Sequence, residues 1–394
     1  MGLEQETHKK KFDFTGEFRK RKKAIIIFSI IFIVAALGGG GYVVWRTMSA
    51  DTSKQDAQTP EEQPADPVEP EPEEPEIILV PSYLTGELIA PELAKVRPLA
   101  IVVENHSASR PPTGLIDADI VYEMPVEAGI TRFLAVFQQN QPAKIGPERS
   151  SRVYFLEWVK EYDAVHAHIG QDPKVLTLIR PYGIEDLRET GAWWDDASTG
   201  RAREHRAYTS VQVLRQVMIE RGLNEKTDLT SWKFKEAEAD VDARPESQTI
   251  TINYSSAPYQ VIWRYDRENN LYRRENGGQP HIDASNSQQL WAKNVIVQDL
   301  SIWLRAGDDK GRRDMKVVGE GDLLVFRDGQ VISGKWKKDA RETRTELLDT
   351  TGTAIELNPG KIWVEIVPVD MDIVAHETIA ASAPAPEESE LTSE

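Results

Sequence analysis

The sequence predicts an α/β (α+β) N-terminal ectodomain followed by a mostly-β C-terminal domain, both behind a single N-terminal transmembrane helix. Three observations carry this reading. A run of 22 residues without a charge, 24–45, follows five consecutive basic residues. Between residues 81 and 222, short apolar strands alternate with stretches of helical period. Between residues 249 and 370, strand-like alternation and turn dipeptides take over.

The N-terminus comes first. Residues 1–23 carry eight Lys/Arg against four acids, a basic cytoplasmic tail. The apolar run is about 33 Å long as a helix, enough for a hydrocarbon core of about 30 Å, so residues 24–46 are assigned as the span. Charge asymmetry places the N-terminus in the cytoplasm and the bulk outside, single-pass in the cell membrane. A cleaved secretory signal is the competing reading and exports the same domains. Residues 47–80 are an acidic, Pro-rich stalk, and 371–394 an acidic disordered tail. A net charge of −17 argues against a nucleic-acid partner. The absence of Cys excludes disulfides, thiolate metal sites and a Cys nucleophile.

In the first domain, residues 99–103 form a short apolar strand. Residues 120–123 and 132–137 read as paired strands around the turn Glu127-Ala128-Gly129. Residues 151–162 read as a helix with Val153, Phe155, Leu156 and Val159 on its apolar face and Ser150 or Ser151 as N-cap. Residues 164–169 alternate as a strand, and 172–179 and 211–221 are further helices. A polar linker, 223–248, leads to the second domain. There, 258–265 and 271–274 make a hairpin, followed by strands at 295–297, 323–326, 330–332 and 362–367. Asn276-Gly277, Asp328-Gly329 and Pro359-Gly360 mark turns.

Several blocks in one order resemble a known family: Arg97-Pro-Leu-Ala-Ile-Val-Val-Glu-Asn105, Arg110-Pro-Pro-Thr-Gly-Leu115, Glu127-Ala-Gly-Ile-Thr-Arg-Phe-Leu134, Ile145-Gly-Pro-Glu-Arg-Ser-Ser-Arg152 and Leu357-Asn-Pro-Gly-Lys-Ile-Trp363. The chain resembles the YerB-like family of bacterial lipoprotein-like proteins, two adjoining domains of unknown function, over about residues 95–370. The resemblance implies an extracytoplasmic two-domain protein and supplies no reaction. Two departures stand out: the family's lipid-anchored Cys is absent, and Glu204-His205-Arg206 stands where a Pro-His-Asn-like run is expected.

The residues with chemistry to offer concentrate in the first domain. Arg110, Arg132, Arg149 and Arg152 lie in Gly-, Pro- and Ser-rich segments. Guanidinium forks beside Ser151 at a helix start suit an anion, and the same residues suit ion pairs with Glu123, Glu127, Glu148 and Glu157. Glu123 and Glu127 are the candidate catalytic carboxylate pair, given a glycosidase-like separation. His166 and His168 share a strand face, and with Asp172 or His205 offer imidazole ligands. No HExxH-like pattern supports a metal, so none is assigned, and no cofactor. Ser151 with His168 or His205 as base lacks any nucleophile-elbow motif. Trp336, in Gly-Lys-Trp-Lys-Lys, is expected exposed and suited to stacking on a sugar.

These residues predict a membrane-anchored extracytoplasmic protein of the bacterial cell envelope. It would bind an anionic or glycan ligand, such as a cell-wall glycopolymer, or an envelope protein. The alternative is an envelope enzyme acting on phosphodiester or glycosidic bonds of wall polymers or lipid-linked precursors.

Overall fold

A computed structural model of the chain describes residues 78–188, 190–224, 229–369, 371 and 375–379. The first stretch supplies strands β1 (Leu99–Glu104), β2 (Ile120–Pro125), β3 (Thr131–Phe137) and β4 (Val165–Ala167). The second supplies β5 (Ser247–Asn253), β6 (Gln260–Asp266), β7 (Leu271–Asn276), β8 (Asn294–Leu300), β9 (Gly319–Arg327), β10 (Gln330–Lys338), β11 (Glu346–Asp349), β12 (Ile362–Pro368) and β13 (Ala375–Ile379). Helices α1 (Phe155–Glu161), α2 (Pro173–Ile179) and α3 (Val211–Glu220) are short.

Nine strands form one mixed sheet in the order β11-β10-β9-β8-β12-β2-β3-β1-β4. The junction is β12, which runs parallel to β8 on one side and to β2 on the other. The two stretches of sequence therefore share one hydrogen-bonded layer. A second, antiparallel sheet, β7-β6-β5-β13, covers one face, with two two-residue strands added on β7.

Alternation along the strands builds two cores. Ile101, Val103, Phe133, Ala135 and Trp363 point to the face shared with Ile250, Ile252, Trp263 and Tyr272 of the second sheet and Leu214 and Met218 of α3. Ala100, Val102, Tyr122, Leu134 and Val364 point to the other face, against Phe155, Leu156, Trp158 and Val159 of α1. With both faces covered, β1, β2 and β3 are buried at every position. By contrast, β6 alternates buried with more open positions.

The expected fold class is corrected here. The protein is mostly β with few helices, not an α/β domain followed by a mostly-β one. Hydrophobic periodicity reports which face a residue uses, not which strand lies beside it, so the shared sheet was invisible to it. The single N-terminal transmembrane helix is not part of this fold. Residues 24–46 lie outside the described residues, and no helix among those described is long and apolar enough to cross a membrane. The longest of the three labelled helices, α3, has ten residues, about 15 Å against a core of about 30 Å. Residues 1–23 also lie outside. Residues 375–379, read from sequence as tail, pair with β5 as an edge strand.

Polar side chains pin the two sheets together. The register sets Glu365 of β12 beside Glu123 of β2, both fully buried. Arg274 of β7, also fully buried, donates to Glu123 Oε2, and its Nε lies 3.9 Å from Glu365 Oε1. Its other arm donates to His281 Nδ1. Burial holds His281 well below its usual pKa, neutral and able to accept. Glu123 also accepts from Asn105 Nδ2 at 3.0 Å and Thr131 Oγ1 at 2.5 Å. Glu365 accepts from Tyr254 Oη at 2.7 Å and Trp263 Nε1 at 2.8 Å. The guanidinium lies 4.8 Å from the Trp363 ring centroid.

One cation between two carboxylates leaves one negative charge in excess. Burial and the Glu123 charge push Glu365 up to about 8. The folded protein thus binds more protons here than the unfolded chain, and stability falls as pH rises from the ordinary 4.5 to about 8. Glu365→Gln should flatten part of that fall in urea titrations at stepped pH. Glu148 and Asp119, raised to about 8 and about 6, keep the remainder. Arg274→Met, which strands Glu123, should cost about 3–5 kcal/mol in the same assay.

Candidate functional site

The candidate site lies where β1 and β2 end and β3 begins. The loop 145–152 crosses this end of the sheet. Arg149 N donates to Val102 O at 2.9 Å, and Ser151 N to Gly170 O at 3.1 Å. This fixes Arg149, Ser150, Ser151 and Arg152 beside Glu104 and Arg132.

Arg149 Nε donates to Glu104 Oε1 at 2.7 Å. The other Glu104 oxygen lies 2.9 Å from His205 Nδ1, so the ring proton belongs on that nitrogen. His106 stacks on His205 with centroids 4.8 Å apart and planes at 19°. Partial burial and the His205 charge lower the His106 pKa. Arg152 grips Glu127 with both arms, at 2.5 and 2.7 Å. Those bonds hold Glu127 below the usual carboxylate range against the opposing effect of burial.

Arg132 is different. It is buried, its Nη1 donates to Ser150 O at 2.7 Å, and its Nε has no hydrogen-bond partner. No carboxylate among the described residues lies within ion-pair distance of it. Burial and the Arg152 charge push it down to about 10. Three guanidiniums thus meet two carboxylates, and the surplus charge sits on Arg132.

Arg110 stands apart. It donates to Asn105 Oδ1 at 2.9 Å and Pro258 O at 2.6 Å, over the Tyr259 ring, beside a separate cavity of about 450 Å³ lined also by His281. Glu123 is sealed in the core with Arg274, away from water, while Glu127 is held by Arg152.

Ser151 Oγ lies 2.8 Å from His166 Nε2, and His166 Nδ1 lies 3.1 Å from Ala100 O. The carbonyl only accepts, so Nδ1 carries the proton and Nε2 accepts from the serine. Burial pushes His166 down to about 3 and keeps it neutral. The polarity matches a Ser–His dyad, but both side chains are fully buried. Ser151 therefore does not cap α1, whose N-cap is Tyr154, without a side-chain bond. His168, also buried, lies 3.3 Å from Asp186, and its Nδ1 lies 2.8 Å from Gly170 O, the carbonyl that Ser151 N also bonds. Asp172 pairs with Arg305 at 2.6 Å. Among the described residues no group of three such side chains converges as a metal site.

Trp336 corrects a further expectation. It is buried, and its Nε1 donates to Asp299 O at 2.8 Å. Strand alternation in β10 turns Trp336 inward while its lysine neighbours on the strand, Lys335 and Lys337, stay more open. Arg274, Glu365 and Lys361 were not singled out from sequence. Glu365 and Lys361 are lone charges in an apolar strand and a turn, Arg274 is one of three charges in a row, and only long-range pairing makes each meaningful.

The geometry defines a class: a mostly-β extended sheet shared by two sequence modules, with a cationic rim at one strand end. Family comparison agrees with the two modules. Residues 84–224 match the "Protein of unknown function (DUF3048) N-terminal domain", and 250–364 the corresponding C-terminal domain. The chain is 31% identical over 298 residues to "Putative lipoprotein YerB" of Bacillus subtilis (strain 168), covering 73% of this chain and 86% of the relative. The crystal structure of YerB from Bacillus subtilis superposes with a TM-score of 0.67 at 27% identity, covering 76% of this chain and 99% of that one. The chain belongs to the YerB-like family.

If Ser151 serves only to satisfy His166, a fluorophosphonate probe should leave the folded protein unlabelled. Ser151→Ala should then cost about 1–3 kcal/mol on chemical denaturation, because a buried acceptor loses its donor. Labelling of the native protein at Ser151 would contradict this.

Proposed function

We propose that the protein is an extracytoplasmic binding protein of the cell envelope whose rim of Arg132, Arg149 and Arg152 takes an anionic group. The observation that carries the reading is Arg132: a buried guanidinium with an unused Nε and, among the described residues, no carboxylate within ion-pair distance. A phosphate or carboxylate with two or more oxygens supplies the missing acceptor, and charge-assisted hydrogen bonds are the strong ones. The lipoprotein in the relative's name supports an envelope setting. An anionic wall glycopolymer, a phosphorylated lipid carrier or an acidic segment of an envelope protein has the required chemistry. The enzyme reading has less support, because Glu123 is enclosed by its partners and Glu127 is committed to Arg152.

Co-sedimentation of the full-length protein with isolated anionic wall polymer, and flotation with vesicles carrying phosphorylated lipid, test the reading. Binding should weaken with salt. Arg132→Gln should lower affinity about tenfold or more while folding normally, since no carboxylate is stranded. Arg149→Ala with Arg152→Ala should lose both binding and stability, because Glu104 and Glu127 lose their partners. A wild-type protein that ignores polymer and phosphorylated lipid alike refutes the proposal.

A further inference from the structure

At the opposite end of β2 and β12 lies a second polar cavity, of about 280 Å³. Asp119 and Lys361 immediately precede these parallel strands, and the rim near Pro125 is about 20 Å away along β2. The cavity draws on both sequence modules. Glu87, Asp117 and Asp119 come from the first, and Asn286, Gln288, Trp291 and Lys361 from the second.

Lys361 is the unusual member. Its side chain is buried at 7% exposure, and its Nζ has no hydrogen-bond partner. It lies 4.8 Å from the centroid of the half-buried Trp291 ring. Carboxylates surround it electrostatically, yet no ion pair to it forms among the described residues. Burial lowers its pKa to about 8. Asp119 has already spent its Oδ2 on Gln138 N at 2.5 Å and Gln139 N at 3.1 Å. Asp117 is less buried, and its pKa is raised chiefly by desolvation. An ammonium left without acceptors beside surplus carboxylates is costly to fold, and Lys361 lines the cavity, so a small shift of its buried Nζ brings it to a ligand there.

The chemistry of the lining selects the ligand. Three carboxylates against one ammonium repel an anion. A compact cation meets Lys361 itself. A hydroxyl group donates to a carboxylate and accepts from an ammonium at once, so a ring bearing several hydroxyls satisfies both kinds of lining group. Trp291 offers a flat apolar face for the C–H side of such a ring. The volume falls just below that of drug-sized ligand pockets, roughly 300–1,000 Å³, which suits one ring rather than a chain. We propose that this cavity binds a single neutral sugar residue, with Lys361 donating to its hydroxyl oxygens, Asp117 and Glu87 accepting from its hydroxyls, and Trp291 stacking on its apolar face. This site is separate from the cationic rim and does not rest on it.

The test is protein-observed NMR or calorimetry on the full-length protein with glucose, galactose, N-acetylglucosamine and short oligomers of each, with glucuronic acid and glucosamine as charged controls. A neutral sugar should bind, and the charged controls should bind at least several-fold more weakly. Lys361→Met keeps most of the side chain's apolar stem and removes the buried charge. It should lower sugar affinity about tenfold or more while leaving the melting temperature unchanged or higher. Trp291→Ala should also lose binding, and Trp291→Phe should retain part of it. Arg132→Gln should leave sugar binding unchanged, which separates this site from the rim. The proposal is overturned if no neutral sugar binds the wild type, if a charged control binds best, or if Lys361→Met binds as well as wild type. Should Lys361→Met fail to fold, Trp291→Ala decides, and unchanged affinity in that variant is equally fatal.

Discussion

The fold hangs on one buried contact set: Arg274 against Glu123, with Glu365 beside it. Glu123 belongs to the first sequence module, Glu365 and Arg274 to the second, and Arg274 reaches across from the covering sheet to the main one. Leaving a buried charge without its counter-charge is costly, so this cluster favours one registration of the two sheets. A one-residue slip of β12 against β2 would turn Glu365 toward the opposite core, into the apolar environment of α1. Whether the cluster adds net stability is secondary to this selectivity, since an apolar replacement of the whole set often does as well. The aromatic walls of Trp263, Trp363 and Phe133 keep water out and concentrate the interaction.

The shared sheet also explains where chemistry is left exposed. Strands covered on both faces commit their side chains to the two cores, so polar function moves to the strand ends. One end gathers Arg132, Arg149 and Arg152 around the loop 145–152, with Glu104 and Glu127 as partial counter-charges. The other gathers Lys361 among carboxylates. The two ends are of opposite electrostatic character: a rim with one guanidinium in surplus and a cavity with carboxylates in surplus. Both contain a buried cation lacking a hydrogen-bond acceptor at one nitrogen, Arg132 Nε and Lys361 Nζ.

Much of the local structure was legible from residues. The hairpin around Glu127-Ala128-Gly129 holds, with β2 and β3 in antiparallel register and Ala128 and Gly129 at positive φ. The helices expected at 172–179 and 211–221 form as α2 and α3, capped by Asp172 and Ser210, whereas the cap expected at Ser150 or Ser151 does not. The Arg149–Arg152 segment was visible as a concentration of forks, but not its division of labour. Sequence spacing cannot tell that Arg149 and Arg152 take the two carboxylates while Arg132 is left over, because Glu104 and Arg132 meet only through β1–β3 pairing. Trp336 was misread for a related reason. Flanking lysines suggest a solvated turn, yet in a strand neighbours on either side point the opposite way.

The sequence by itself determined many of the local elements and turns, the acidic balance and the family. These depend on period, propensity and short motifs, all encoded within a few residues of one another. Tertiary structure alone decided that the two modules share one sheet. It also decided which carboxylate faces which guanidinium, and that Ser151 and His166 are sealed while Lys361 lines a cavity. Those outcomes depend on contacts between residues well separated in sequence, from Arg149 with Glu104 to Glu123 with Arg274. Long-range strand pairing, not local spacing, sets which of these charges meet.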